Sequence, residues 1–431
     1  METVHSKTIS KLLMIIYLFF LIFNPPLFKK FSFTIALALF AGGYLLVNWR
    51  RTKLVARKCM MNKFAPIFIF SAFYILMVVL INSLFDSDVH FLSYLSTFVK
   101  YVFYYMVLIV VILFINLVSE KKYFTVSDLV ICFIWAGALQ AFITILTYMF
   151  PTIKEFTVQL ISNNSNSEKI ARIIHNTKYF RNYGLASSLY DIFGYSTAIL
   201  VSLSFVYGLY KKNFYRYFAF VLITMPFFNS RTGLLLAIAG IAVAIVFFSK
   251  PKGTRDVVNK FFTIGSIIIG IIIFYYTIKS RILMDGSLSS EWITSGMNNT
   301  ILFFSGQFSS GYYTTLVNDF FFFPTFLKTI IGAGATPMVL IEKGTDVGYV
   351  LNIWEYGAIG SIIIYYMNYK IFKTAYKCSK NQMNKTIVFI LAIMFFIYMV
   401  KLDSLGYGQA SVITFPLLFK IIHDQDINKE I

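Results

Sequence analysis

Apolar residues along this 431-residue chain come in runs near the length of a bilayer crossing, separated by short polar stretches. The runs fall at 12–28, 31–48, 64–83, 99–118, 129–150, 188–210, 217–229, 232–248, 261–279, 347–369, 387–402 and 409–422. By hydropathy they predict about twelve membrane-spanning helices, of which the seventh and the last two are short. An even count puts both termini on one side. Two longer polar stretches, 151–187 and 280–346, are predicted to form larger extracytoplasmic loops. Around Phe308, apolar Phe308, Tyr312, Tyr313, Leu316, Val317, Phe320 and Phe321 alternate at helical spacing with Ser309, Ser310, Thr315, Asn318 and Asp319. That predicts an amphipathic helix, either resting on the membrane or covering a site at its surface. Lys7 and Lys11 precede the first run, as in a signal peptide. Asn24-Pro25-Pro26 follows with no small-residue cleavage site, so the run is read as a retained span. With no internal repeat and no soluble domain, residues 1–431 read as a single integral membrane domain.

Composition supports this class. Hydrophobic residues make up 58% of the chain and charged ones 13%, half the usual share for a soluble domain, and mean hydropathy is +0.72. The formal charge of +19 raises the question of nucleic acid. The cations instead crowd short segments between apolar runs: 49–63, 119–128, 211–216, 249–260 and 370–386. With the termini, these hold roughly 24 of the 38 Lys and Arg residues, which predicts a cytoplasmic side carrying both termini. No nucleic-acid partner is expected. Cys59, Cys132 and Cys378 show neither a disulfide framework nor a metal spacing.

Three stretches can carry chemistry. In Asn229-Ser230-Arg231-Thr232-Gly233, Arg231 stands at the start of an apolar run. An Arg in the bilayer interior costs about 2.5–3.5 kcal/mol, so its place needs a reason. Ser230 can cap the helix over 232–248, and free N–H groups, helix dipole and guanidinium together suit a phosphate. The alternative is an interfacial Arg reaching lipid headgroups. In the second stretch, Arg172, His175, Lys178 and Arg181 form a basic cluster before Gly184, Ala186, Ser187 and Ser188 at the outer mouth of the sixth span. The alternative there is a membrane anchor, although anchors favour the inner side. The third runs from Gly332 and Gly334 through Asp346, Gly348, Tyr349 and Asn352 to Gly357 and Gly360. Its last two glycines allow close helix packing. Asp346 reads equally as a helix cap or as a catalytic acid.

Arg181 with Gly184, then Ser230-Arg231-Thr232, then Gly332/Gly334 with Asp346-Val347-Gly348-Tyr349 through Gly357-Ala358-Ile359-Gly360, resemble in order and spacing the bacterial O-antigen polymerase and O-antigen ligase superfamily. The resemblance covers residues 170–370 and the span count. Each motif is short, and the joint arrangement is more specific than any one of them. The resemblance implies an all-α, GT-C-like glycosyltransferase of the bacterial inner membrane, independent of metal and cofactor. Its substrate would be an oligosaccharide on undecaprenyl diphosphate, and a chain-length regulator is an implied partner. Arg181 and Arg231 would engage the diphosphate. Asp346 is the first candidate base, with Glu291 and His175 behind it. Arg172, His175, Ser230, Thr232, Glu291 and Tyr349 are candidate substrate contacts. Family ligases often carry a His in the late external loop, where this chain has Asp346 and no His, which favours a polymerase.

The chemistry fits without a nucleotide-binding loop. Transfer from a lipid diphosphate needs charge stabilisation on the leaving group and a base for the acceptor hydroxyl. Two other readings stand beside it. One is a ligase transferring glycan to a lipid or wall acceptor. The other is a transporter such as a lipid-oligosaccharide flippase, which would place more charge at mid-membrane.

Overall fold

The computed structural model describes residues 2–28, 32–85, 90–164, 183–187, 190–248, 319–345, 347–400 and 409–426. Among these the secondary structure is helical throughout. The predicted span at 261–279 and the amphipathic helix around Phe308 lie outside the described residues. The chain divides into two compact units: residues 1–24, 32–137 and 316–431 form the first, and 25–31 and 138–315 the second.

In the first unit, α1 (Glu2–Phe23) stops where Asn24 takes a positive φ before Pro25-Pro26. Then come α2 (Phe33–Val47), α3 (Trp49–Lys58), α4 (Met61–Phe85), α5 (Phe91–Lys121) and the first half of α6 (Val126–Met149). The segment 49–63, read as a loop, is mostly the helix α3, turned 104° from α2. The second unit holds the rest of α6, α7 (Pro151–Asn164), α8 (Tyr190–Tyr210), α9 (Phe214–Asn229) and α10 (Arg231–Phe248). The predicted external loop 151–187 thus begins as a helix. Back in the first unit lie two short helices, α11 (Phe326–Ile331) and α12 (Pro337–Ile341). They lead to α13 (Gly348–Cys378), α14 (Gln382–Tyr398) and α15 (Gln409–Asp426).

The side-chain pattern is that of a protein solvated by lipid. On α4 the polar Ser71 and Asn82 are buried, while Ile69, Phe70 and Phe73 are exposed. α5 exposes Leu92, Val99, Phe103 and Met106 in the same way. Water would leave such faces uncovered, whereas hydrocarbon accepts them, and helices satisfy every backbone group internally. The chain is therefore an all-helical membrane protein. Among the described residues four helices are long and apolar enough to cross a bilayer: Met61–Phe85, Phe91–Lys121, Val126–Met149 and Ile192–Tyr210. Counting the bent pair α2–α3 as one span makes five. Several other predicted spans correspond to shorter or interrupted helices: α9, α10 and α14 have 16 to 18 residues, and α13 is broken. The 16 residues of α9, for instance, extend about 24 Å, less than the ~30 Å hydrocarbon core.

The basic start of α1 and the basic segments 49–63 and 119–128 share one end. Lys7 and Lys11 on α1 pair with Asp128 at the start of α6, and Lys58 on α3 pairs with Glu120 at the end of α5. His423 near the end of α15 lies 3.6 Å from Glu120. The first turns of α1 and the last turns of α15 therefore reach the same end. Cys59, Cys132 and Cys378 are buried free thiols.

Candidate functional site

The junction between α9 and α10 is a single residue. Pro226 has no N–H to give its own helix, and the chain leaves helical geometry four residues later at Ser230 (φ −152°, ψ 119°). The Ser230 N–H still reaches the Pro226 carbonyl at 2.8 Å. Its hydroxyl accepts the Gly233 N–H at 3.0 Å, and its carbonyl accepts the Leu234 N–H at 3.0 Å. Ser230 is the N-cap of α10, as its sequence position predicted.

This junction packs directly on α8. A Cβ on Gly194 would run into the Ser230 side chain and come within 3.2 Å of the Gly233 Cα. One on Gly233 would reach the Gly194 carbonyl carbon at 2.7 Å. Two glycines thus let the backbones of α8 and α10 touch, with the capped helix start between them. At the other end of α8, Gly208 meets the Arg216 backbone, and Ser204 donates to the Tyr215 carbonyl at 2.8 Å. α9 therefore runs antiparallel to α8, with Lys211, Lys212 and Arg216 at one end and Ser230 at the other.

The end of the second stretch is also fixed. Gly184 has φ +57°, and a Cβ there would approach the Gln140 side-chain nitrogen at 2.7 Å. That nitrogen donates to the Tyr183 carbonyl at 2.6 Å, and the Tyr183 ring stands edge-on to Phe193. Gln140 is fully buried in α6, which explains why the turn after Arg181 needs a glycine.

In the first unit, the third stretch closes on itself. α13 breaks at Gly357 (φ 69°, ψ 176°), a conformation open to glycine alone. The break frees the Trp354 carbonyl from its helical partner, and the Ala333 N–H takes it at 2.8 Å. Gly332, with φ +112°, lies so close that a Cβ would touch the Gly357 nitrogen at 2.8 Å. α4 completes the joint. Tyr74 donates to the Ile331 carbonyl at 2.8 Å, and Asn82 donates to the Gly332 carbonyl at 3.1 Å. Gly360 abuts the Tyr74 ring. The predicted close packing at Gly357 and Gly360 is present.

The predicted span at 347–369 needs correction. Its residues do not form one straight helix, because the short arm Gly348–Tyr356 folds back beside the long arm Ala358–Cys378. The Tyr349 and Tyr365 rings are 5.7 Å apart, whereas a straight helix would separate them by about 24 Å. The Tyr349 hydroxyl donates to the Phe396 carbonyl at 2.7 Å, so this candidate substrate contact is engaged by α14.

Thr232 is partly exposed in the first turn of α10, and Arg231 opens that helix, its side chain lying outside what is described. Arg172, His175, Arg181, Glu291 and Asp346 lie outside the described residues. The neighbours of Asp346 are tied down. The Thr345 hydroxyl donates to the Phe320 carbonyl at 2.8 Å and accepts the Val347 N–H at 3.1 Å. The sequence reading passed over Glu355, a carboxylate only 9% exposed in the last turn before the Gly357 break. The available signal was an acid inside an apolar run, which in a membrane protein is a candidate for function. No known family profile, curated protein or solved structure matches this chain.

Proposed function

We propose that this protein is a bacterial inner-membrane polymerase joining oligosaccharide repeat units carried on undecaprenyl diphosphate. The observation that carries the proposal is the capped start of α10. There Ser230 fixes a helix N-terminus against α8 and sets Arg231 in its first turn. A helix start favours an anion, and Arg231 together with Arg181 gives the diphosphate leaving group its counter-charge. Arg172, His175, Ser230, Thr232 and Glu291 complete the candidate substrate contacts. Asp346 is the first candidate for taking the acceptor proton, with Glu291 and His175 behind it. Both termini are proposed to be cytoplasmic, from the excess of Lys and Arg in the short segments between the apolar runs. A chain-length regulator is the proposed protein partner.

Gene deletion followed by gel analysis of surface polysaccharide tests this. The expected result is collapse of the ladder to a single repeat unit on its acceptor. Accumulation of polymer on the lipid carrier would make the protein a ligase. Accumulation of lipid-linked single units inside the cell would make it a flippase.

A further inference from the structure

The corner between α2 and α3 sets α3 nearly at right angles to α2. At Asn48 the chain turns by 104°. The Asn48 side chain donates to the Tyr44 carbonyl at 2.8 Å and accepts Lys121 at 2.7 Å. Lys121 also donates to the Tyr44 hydroxyl at 3.0 Å, and the Thr52 hydroxyl donates to the Leu45 carbonyl at 2.9 Å. Thr52, Val55 and Cys59 face inward and are buried. Lys58 reaches Glu120 on α5 at 2.9 Å. α3 is therefore held at the end where α2 and α5 finish and α4 begins.

Its outer face is unusual for a helix in water. Arg50, Arg51, Lys53 and Arg57 are exposed, with no acid among the ten residues of α3. Beside them the apolar Leu46, Val47, Trp49 and Leu54 are 53% exposed or more, Val47 reaching 88%. The Lys53 ammonium stands 5.1 Å from the Trp49 ring centroid. Water disfavours the apolar flank, and hydrocarbon disfavours the cations. The boundary between them suits both, where an aromatic ring sits at headgroup level and cations meet phosphates.

We propose that α3 and the Asn48 corner form a binding site for the anionic headgroups of the adjoining leaflet. Arg50, Lys53 and Arg57 hold headgroup phosphates, Trp49 and Val47 enter the acyl boundary, and Arg51 and Leu54 do the same on the other flank. Each cation at an anionic surface is worth about fivefold in affinity, so the site discriminates phosphatidylglycerol from phosphatidylcholine and weakens with salt. The site is independent of the proposed polymerase activity.

Native mass spectrometry of the full-length protein, with equal amounts of phosphatidylglycerol and phosphatidylcholine, tests this. The wild type is expected to retain phosphatidylglycerol preferentially. An R50Q/R51Q/K53Q/R57Q variant should lose that preference by tenfold or more. An R50K/R51K/R57K variant keeps the charge and should keep the preference. A second measurement needs no charge variant: fluorescence quenching by headgroup-labelled lipid in vesicles, comparing wild type with Trp49→Phe. The Trp49 contribution should be quenched more strongly in phosphatidylglycerol than in phosphatidylcholine vesicles. Equal retention of the two lipids by the wild type would overturn the proposal. So would an undiminished preference in the glutamine variant, or a Trp49 signal indifferent to lipid charge.

Discussion

The Asn352 side-chain amide donates to the Tyr365 hydroxyl at 2.8 Å, although the two residues are thirteen apart in one helical element. An unbroken helix would hold them about 20 Å apart. The contact measures how completely α13 reverses at Gly357. It also leaves the Asn352 side-chain oxygen buried and unpaired among the described residues. A buried polar atom of this kind costs about 1–3 kcal/mol, so the hairpin is held against strain by its docking on residues 330–333 and α4.

Gly357→Ala tests that docking. Its φ of 69° excludes a side chain, and a Cβ would collide with the Ile331–Gly332 backbone. The two effects together should cost about 3 kcal/mol or more. The expected outcome is a large fall in melting temperature in detergent, or loss of monodisperse protein. Tyr74→Phe removes one hydrogen bond and should cost only about 0.6 kcal/mol.

At the α10 start, cap and crossing should separate. Ser230→Ala loses the bond to Gly233 and is expected to cost about 1 kcal/mol, with the protein still inserted. Gly194→Ala forces α8 away from Ser230 and Gly233, and should cost about 1–3 kcal/mol. Thermal denaturation of the two variants checks the order.

Arg231→Ala and Arg181→Ala should each abolish long-chain polymer with protein levels in the membrane unchanged. Arg231→Lys should restore little, because an ammonium cannot make the paired contacts of a guanidinium to phosphate. Immunoblotting of membranes beside a polysaccharide gel separates lost chemistry from lost protein. Retained ladders in both alanine variants would remove these residues from the site.

Glu355→Gln keeps the size of a nearly buried side chain and removes its charge. If Glu355 serves the activity, polymer is lost while folding stability stays within about 1 kcal/mol of wild type. A lower melting temperature with polymer retained would make Glu355 a structural partner of the Gly357 joint.

Much of this was legible beforehand, for local reasons. The end of the seventh predicted span, at 229, matches the end of α9, whereas the first, placed at 12–28, overran α1, which stops at Phe23 before Asn24-Pro25-Pro26. The Ser230 cap was readable because capping depends on three neighbouring residues. Close packing at Gly357 and Gly360 was readable because small residues in apolar runs serve it. The helix α3 was read as a loop because a short basic stretch between spans carries no full apolar face. Glu355 was passed over because one acid barely dents the hydropathy of its run.

The sequence by itself determined the class of the protein, since long apolar runs meet lipid only as helices, and each helix closes its own hydrogen bonds within a few residues. It also singled out the glycines at 184, 332 and 357 without saying what each one meets. Only the tertiary structure decided that Gly194 faces Ser230, that Gly184 makes room for Gln140, and that α13 reverses at Gly357. A positive φ or a backbone crossing is stable only where a distant segment takes up the freed groups. The Ala333 N–H on the Trp354 carbonyl is such a partner, and no spacing along the chain reveals it.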